Sequence, residues 1–195
     1  KIDFRDGKWE GIDHIVNQLC KVLCVQRTGW RKSMVSFVSA RLMRAEGAGV
    51  TLIISPLLAL MRNQIEAARR LGLRALTVNS TNRDDWDHVR DELLADQVDL
   101  LLISPERLAN DEFVGSTLQP IAARIGLLVI DEAHCISDWG HDFRPDYRRI
   151  GQVLARLPVN ISVLATTATA NRRVEQDAAA QLGGDVVVQR GPLVR

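Results

Sequence analysis

The sequence predicts a parallel α/β sheet with helices on both faces. Seven short apolar runs, near-continuous in Val, Ile and Leu, recur along its 195 residues, as strands buried on both faces require. Segments with helical spacing separate the runs, the alternation that builds parallel sheets. The chain is 46% hydrophobic and 25% charged, ordinary for a globular domain, which excludes disorder and collagen-like or low-complexity sequence. One domain over 1–195 fits this length.

The runs give strands at 21–26, 50–55, 73–78, 98–103, 126–130, 161–165 and 185–189. A helix is expected over 57–71, stopped by Gly72 as a left-handed cap. A second is expected over 83–95, with Asp84 and Asp85 favouring the positive end of its dipole. A third, over 171–182, ends at Gly183 and Gly184. The residues after the first strand read as a loop leading into another helix. No apolar run is long enough to span a bilayer, and neither end carries a secretory pattern.

Net charge is only +1, so no acidic partner is demanded by the whole chain. The 25 basic residues comprise Lys1, Lys8, Lys21, Lys32 and 21 arginines. Cys20, Cys24 and Cys135 lack C-x-x-C spacing, so neither a disulfide framework nor a structural zinc site is expected. Cys24 reads as a core residue, and the set fits a reducing, cytoplasmic setting.

In open parallel sheets, ligands bind beyond the carboxyl ends of the strands. Four such places carry notable residues: 27–33, 55–57, 131–144 and 166–169. The first, with Thr28, Gly29, Trp30, Arg31, Lys32 and Ser33 between a strand and a helix, has the layout of a phosphate-binding loop. There, backbone N–H groups wrap phosphates, a lysine meets the terminal oxygens and a hydroxyl ligates Mg²⁺. The usual G-x-x-x-x-G-K-[ST] pattern has glycines where this chain has Gln26 and Arg31. The fifth strand ends in Asp131-Glu132. One carboxylate so placed can hold Mg²⁺ and the next can orient the attacking water. Together the two segments specify an ATP-type site.

The stretch Asp131-Glu132-Ala133-His134 followed by Cys135-Ile136-Ser137-Asp138-Trp139-Gly140-His141-Asp142-Phe143-Arg144-Pro145 resembles motif II and the aromatic-rich loop of RecQ-type DNA helicases of superfamily two. Phe4-Arg5-Asp6-Gly7 is similar to that family's adenine-reading motif. Residues 52–64, with Ser55-Pro56-Leu57, resemble motif Ia; Ser104-Pro105-Glu106-Arg107-Leu108 resembles motif Ib; and 166–170 resembles motif III. The resemblance implies the first RecA-like lobe of an ATP-dependent motor that unwinds DNA in the 3′-to-5′ direction.

That resemblance also implies roles. Lys32 would bind phosphate as a catalytic cation, Ser33 and Asp131 would hold Mg²⁺, and Glu132 would activate water. Arg5, Lys8 and residues Thr28 to Ser33 would bind ATP. His134, with Thr167 and Thr169, would couple the ATP site to DNA. Ser55, Pro56, Arg107, Trp139, His141, Phe143 and Arg144 would contact DNA, as single strands and duplex junctions. Loop aromatics can stack on bases, and Arg144 can add phosphate or cation–π contact. A second RecA-like lobe would lie beyond Arg195, and this lobe alone would turn over ATP negligibly. No membrane partner is implied; a bacterial setting would place the protein at the nucleoid. Two departures stand out. Lys8 occupies the place of a glutamine that reads adenine, and lysine has donors only. Arg31 occupies the place of a glycine. A degenerate lobe that binds nucleic acid or a partner without turnover is the rival reading.

Overall fold

A computed structural model describes residues 7–26, 32–56, 58–137, 144–168 and 171–191, with only the backbone for 58–60. Seven strands form one sheet: β1 Lys21–Val25, β2 Thr51–Ile54, β3 Ala75–Val78, β4 Leu100–Ile103, β5 Leu127–Ile130, β6 Ser162–Thr167 and β7 Val186–Arg190. Their order is β3-β4-β2-β5-β6-β1-β7, and every neighbouring pair is parallel. The helices are α1 Lys8–Val16, α2 Lys32–Ala45, α3 Leu58–Arg70, α4 Trp86–Leu94, the short α5 Asp111–Phe113 and α6 Gln119–Ile121, α7 Ile150–Leu154, and α8 Arg172–Gln181.

Strand residues alternate between two cores, following the two-residue period of the pleat. Val22, Cys24, Ile53, Leu100, Leu102, Leu127, Val129 and Leu164 join one core with Ile12, Ile15, Phe37 and Met61 of α1–α3. Leu23, Leu52, Ile54, Leu101, Ile103, Leu128, Ile130, Val163 and Ala165 join the other, with Val89, Leu93, Tyr147 and Ala178. Both faces are therefore covered, which is why the strands read as continuous apolar runs.

The register aligns the carboxyl ends. Ile54 lies opposite Ile103 and Ile130, and Ile130 lies opposite Ala165. One residue further along each strand come Ser104, Ser55, Asp131 and Thr166, which form a polar row across the sheet. At the other end the backbones come close: a Cβ on Gly49 would lie 1.5 Å from the Arg124 carbonyl oxygen. Only glycine allows that approach.

The structure amends several sequence expectations. β6 runs on to Thr167, two residues past its apolar run, so Thr166 and Thr167 are strand residues and not loop residues. The expected helix over 83–95 opens as a 3₁₀ turn at Arg83–Asp85 before α4. The sequence reading did not assign α1, the helical turns of 111–124, or α7. Gly11, Gly115, Pro120 and Gly151 interrupt their periodicity, and each weakens a helix signal. The cap at Gly72 is as expected, with φ +75°. All three cysteines are free thiols, and burial pushes the Cys24 thiol up to about 12. Among the described residues, no helix is long and apolar enough to cross a membrane.

Candidate functional site

Strands β5, β6 and β1 are neighbours, so the residues that follow them converge although they are far apart in sequence. α2 starts at Lys32, and the Lys32 ammonium lies 3.6 Å from Glu132 Oε1. The other carboxylate oxygen, Oε2, lies 3.3 Å from His134 Nδ1. That nitrogen lies 3.0 Å from Thr167 Oγ1 at the end of β6. A continuous polar line thus joins α2, the turn after β5 and β6. Glu132 enters its turn at φ 52°, ψ 49°, a left-handed conformation that costs a non-glycine residue roughly 1–2 kcal/mol. Cys135 N–H then closes the turn on the Glu132 carbonyl at 2.9 Å.

Asp131 is held from four directions. Oδ1 accepts from Thr166 Oγ1 at 2.9 Å and from the Glu132 N–H at 3.1 Å. Oδ2 accepts from Ser55 Oγ at 3.3 Å and from Gln64 Nε2 at 3.5 Å. The Tyr147 hydroxyl donates to the Asp131 carbonyl at 2.8 Å, and burial raises the pKa of that phenol, keeping it a donor. Sequence reasoning gave no individual role to Gln64, Thr166 or Tyr147, although Gln64 closes the stretch that resembles motif Ia and Thr166 opens the strand-end stretch 166–169; Tyr147 carries no such signal beyond being the chain's sole tyrosine.

Ser33, Gln64, Asp131 and Thr166 face a cavity of about 20 Å³, room for one water-sized occupant. Its polar lining offers hard oxygen donors, the set Mg²⁺ prefers while it keeps some of its own water. The donor chemistry therefore fits such an ion.

Electrostatics poise the line. His134, and then Lys32, hold the Glu132 carboxylate below its ordinary range, against the burial that would raise it. The Cys135 side chain and Glu132 push the His134 imidazole up to about 10. A group with a raised folded pKa stabilises the fold fully below its unfolded value and loses that contribution as pH rises through the folded value. The stability advantage of the parent chain over His134→Gln should therefore be largest below pH ~6.5. It should fade above that value and vanish by about pH 10. Thermal melts of both proteins across this range measure it, and a constant difference would refute the charged-imidazole account.

The other candidates are placed as follows. Lys8 opens α1 and is buried, 8% exposed. Ser55 and Pro56 are also buried, and the Ser55 hydroxyl serves Asp131. The Ser55 hydroxyl is thus turned inward, toward the end of β5. The Arg107 guanidinium lies 4.9 Å from the centroid of the Trp86 ring. Arg144 is partly exposed, and its N–H donates to Cys135 O at 3.1 Å. Arg5, Thr28, Gly29, Trp30, Arg31, Trp139, His141, Phe143 and Thr169 lie outside the described residues.

Comparison with known proteins shows what this chain is similar to. The DEAD/DEAH box helicase family matches residues 6–177. The ATP-dependent DNA helicase RecQ of Bacillus subtilis is 38% identical over 180 residues, covering 92% of this chain and 29% of that protein. The mouse ATP-dependent DNA helicase Q5 is 39% identical over 163 residues, covering 80% of this chain and 16% of that protein. The chain thus spans less than a third of the length of either relative. The crystal structure of the Pyrococcus furiosus Hef helicase domain aligns with a TM-score of 0.67 at 19% identity, covering 92% of this chain and 37% of that one. That match shows a shared fold.

Proposed function

This chain belongs to the DEAD/DEAH box helicase family, and from that premise we propose that it is the ATP-binding motor lobe of a RecQ-type DNA helicase. Residues 1–195 form one RecA-like lobe in this reading. A second lobe of the same protein closes over ATP, and the pair unwinds duplex DNA in the 3′-to-5′ direction, acting on single strands and duplex junctions. The cytoplasm, or the nucleoid of a bacterium, is the matching setting.

The line from Lys32 through Glu132 and His134 to Thr167 carries this reading. It puts a phosphate-seeking cation, a deprotonated carboxylate and a link to the next strand end at one place. When ATP arrives, Lys32 exchanges its contact with Glu132 for phosphate oxygens. Glu132, kept ionised by His134, is then free to orient water and accept its proton. Ser33 and Asp131 would hold Mg²⁺, which neutralises phosphate charge when bound. Thr166, Ser55 and Gln64 fix Asp131 for that task, and His134 conveys the state of Glu132 to Thr167. Arg107 and the loop 139–144 supply the DNA contacts.

The rival reading, a lobe that binds nucleic acid without turnover, rests on Lys8 and Arg31. One titration tests the main reading in a form that frees the loop. In an Arg31→Gly background, adding Lys32→Ala should weaken Mg-ATP binding at least about tenfold, the worth of one charge-assisted bond. Equal affinity of the two proteins by calorimetry would mean that Lys32 cradles no phosphate and would overturn the assignment.

A further inference from the structure

The bond from Gln64 to Asp131 leaves half of the Gln64 amide unused. Nε2 stands 3.5 Å from Asp131 Oδ2, well beyond the usual N–H···O length of about 2.9–3.0 Å. Thr166 Oγ1 at 2.9 Å and Ser55 Oγ at 3.3 Å hold that carboxylate more closely. The other end of the amide, Oε1, is buried, and no donor among the described residues reaches it. Turning the amide over does not cure this, because Oε1 would then face the carboxylate and two acceptors repel.

A buried acceptor left unpaired costs stability, so the place of this oxygen matters. Gln26, Ser39, Arg107 and Gln189 also carry a buried side-chain atom without a partner, but Gln64 alone among them lines the cavity shared by Ser33, Asp131 and Thr166. α2 and α3 cover the same face of the sheet, through Phe37 and Met61, which brings the α3 amide to a cavity that Ser33 of α2 also lines. Phe37, Ile53 and Val129 complete the lining with apolar side chains, so they offer Oε1 no donor. At about 20 Å³ the cavity takes one water-sized occupant. Mg²⁺ gives up its waters reluctantly and keeps several, and a water polarised by a cation is a strong donor.

We propose that Gln64 is a positioning residue of the metal site: its Oε1 accepts a hydrogen bond from a water of the Mg²⁺ that Ser33 and Asp131 would hold. Nε2 meanwhile stays on Asp131, so one amide serves both the carboxylate and the water. Outer contacts of this kind orient the ligands of a metal, and their loss costs about 10–100-fold in metal affinity. Gln64 touches neither phosphate nor base in this account and acts on the nucleotide only through the ion. The assignment rests on the motor reading above.

Equilibrium binding of the β,γ-imido analogue of ATP, titrated with Mg²⁺ and repeated in EDTA, tests it in the full-length protein carrying Arg31→Gly. Gln64→Met keeps the length of the side chain and removes the oxygen. It should raise the Mg²⁺ concentration at half-maximal tightening by about 10–100-fold. Nucleotide affinity and melting temperature in EDTA should stay near the parent's, since Oε1 has no protein donor to lose. Gln64→Glu keeps an acceptor in place and should need no more Mg²⁺ than the Arg31→Gly parent. A brace acting through Nε2 alone predicts the reverse order, because the new carboxylate repels Asp131 and the methionine does not. Should Gln64→Met unfold, Gln64→Glu decides, and a raised Mg²⁺ requirement there overturns the inference. If Gln64→Met tightens at the parent's Mg²⁺ concentration, the inference is refuted and the motor reading stands. If the Arg31→Gly parent binds no analogue at any Mg²⁺ concentration, both fall.

Discussion

Mg-ATP should bind the Arg31→Gly variant at least about tenfold more tightly than it binds the unaltered chain. Two properties of Arg31 oppose each other. Its guanidinium is a good phosphate ligand. Its Cβ and bulk, however, sit where the resembling family has glycine, just before the phosphate-binding lysine. A loop that turns several N–H groups inward uses backbone angles and close approach that glycine tolerates and arginine resists. Charge-assisted hydrogen bonds contribute roughly 1.5–3 kcal/mol each, so the loss of two outweighs the one contact the arginine regains, and the balance is about one to two orders of magnitude in affinity. Lys8→Gln is a separate matter. It restores a donor–acceptor pair for a base edge, so it should add selectivity for adenine with little change in phosphate affinity. Calorimetry on the four combinations of these two substitutions separates the effects. If the unaltered chain binds as tightly as Arg31→Gly, then Arg31 is a phosphate ligand and the steric account fails.

The strands were legible because the sheet is covered on both faces. Most strand residues are buried and apolar, and the runs stood out against amphipathic neighbours. β6 shows the limit of that signal. Thr166 and Thr167 end its apolar run, yet they pair as strand residues because their hydroxyls find partners in Asp131 and His134. The core of the site was legible for a related reason. Lys32, Asp131, Glu132 and His134 are polar residues at the ends of apolar runs, where only chemistry or solvent explains them. Gln64 and Tyr147 were not, since each acts on a residue 16 or more positions away. Only the strand order β4-β2-β5-β6-β1 brings such pairs together.

In the full-length protein, Glu132→Gln should slow ATP hydrolysis by about 10²–10⁴, the range for a lost general base, and leave Mg-ATP binding intact or tighter. The neutral amide is close in shape to the carboxylate, so the turn after β5 should keep its geometry, and Glu132 N–H can still donate to Asp131. What disappears is the proton acceptor that His134 and Lys32 keep ionised. The charge that competes with phosphate for Lys32 disappears with it, because the 3.6 Å pair with Glu132 no longer has to be broken. Lys32→Ala gives the opposite pattern, with weakened binding as the primary defect. Single-turnover hydrolysis, read beside equilibrium nucleotide binding, separates the two. Glu132→Gln protein that hydrolyses ATP at the parent's rate would show that another group accepts the proton. The Lys32–Glu132–His134 line would then be a structural ion pair, and Lys32 alone would retain its part in the site.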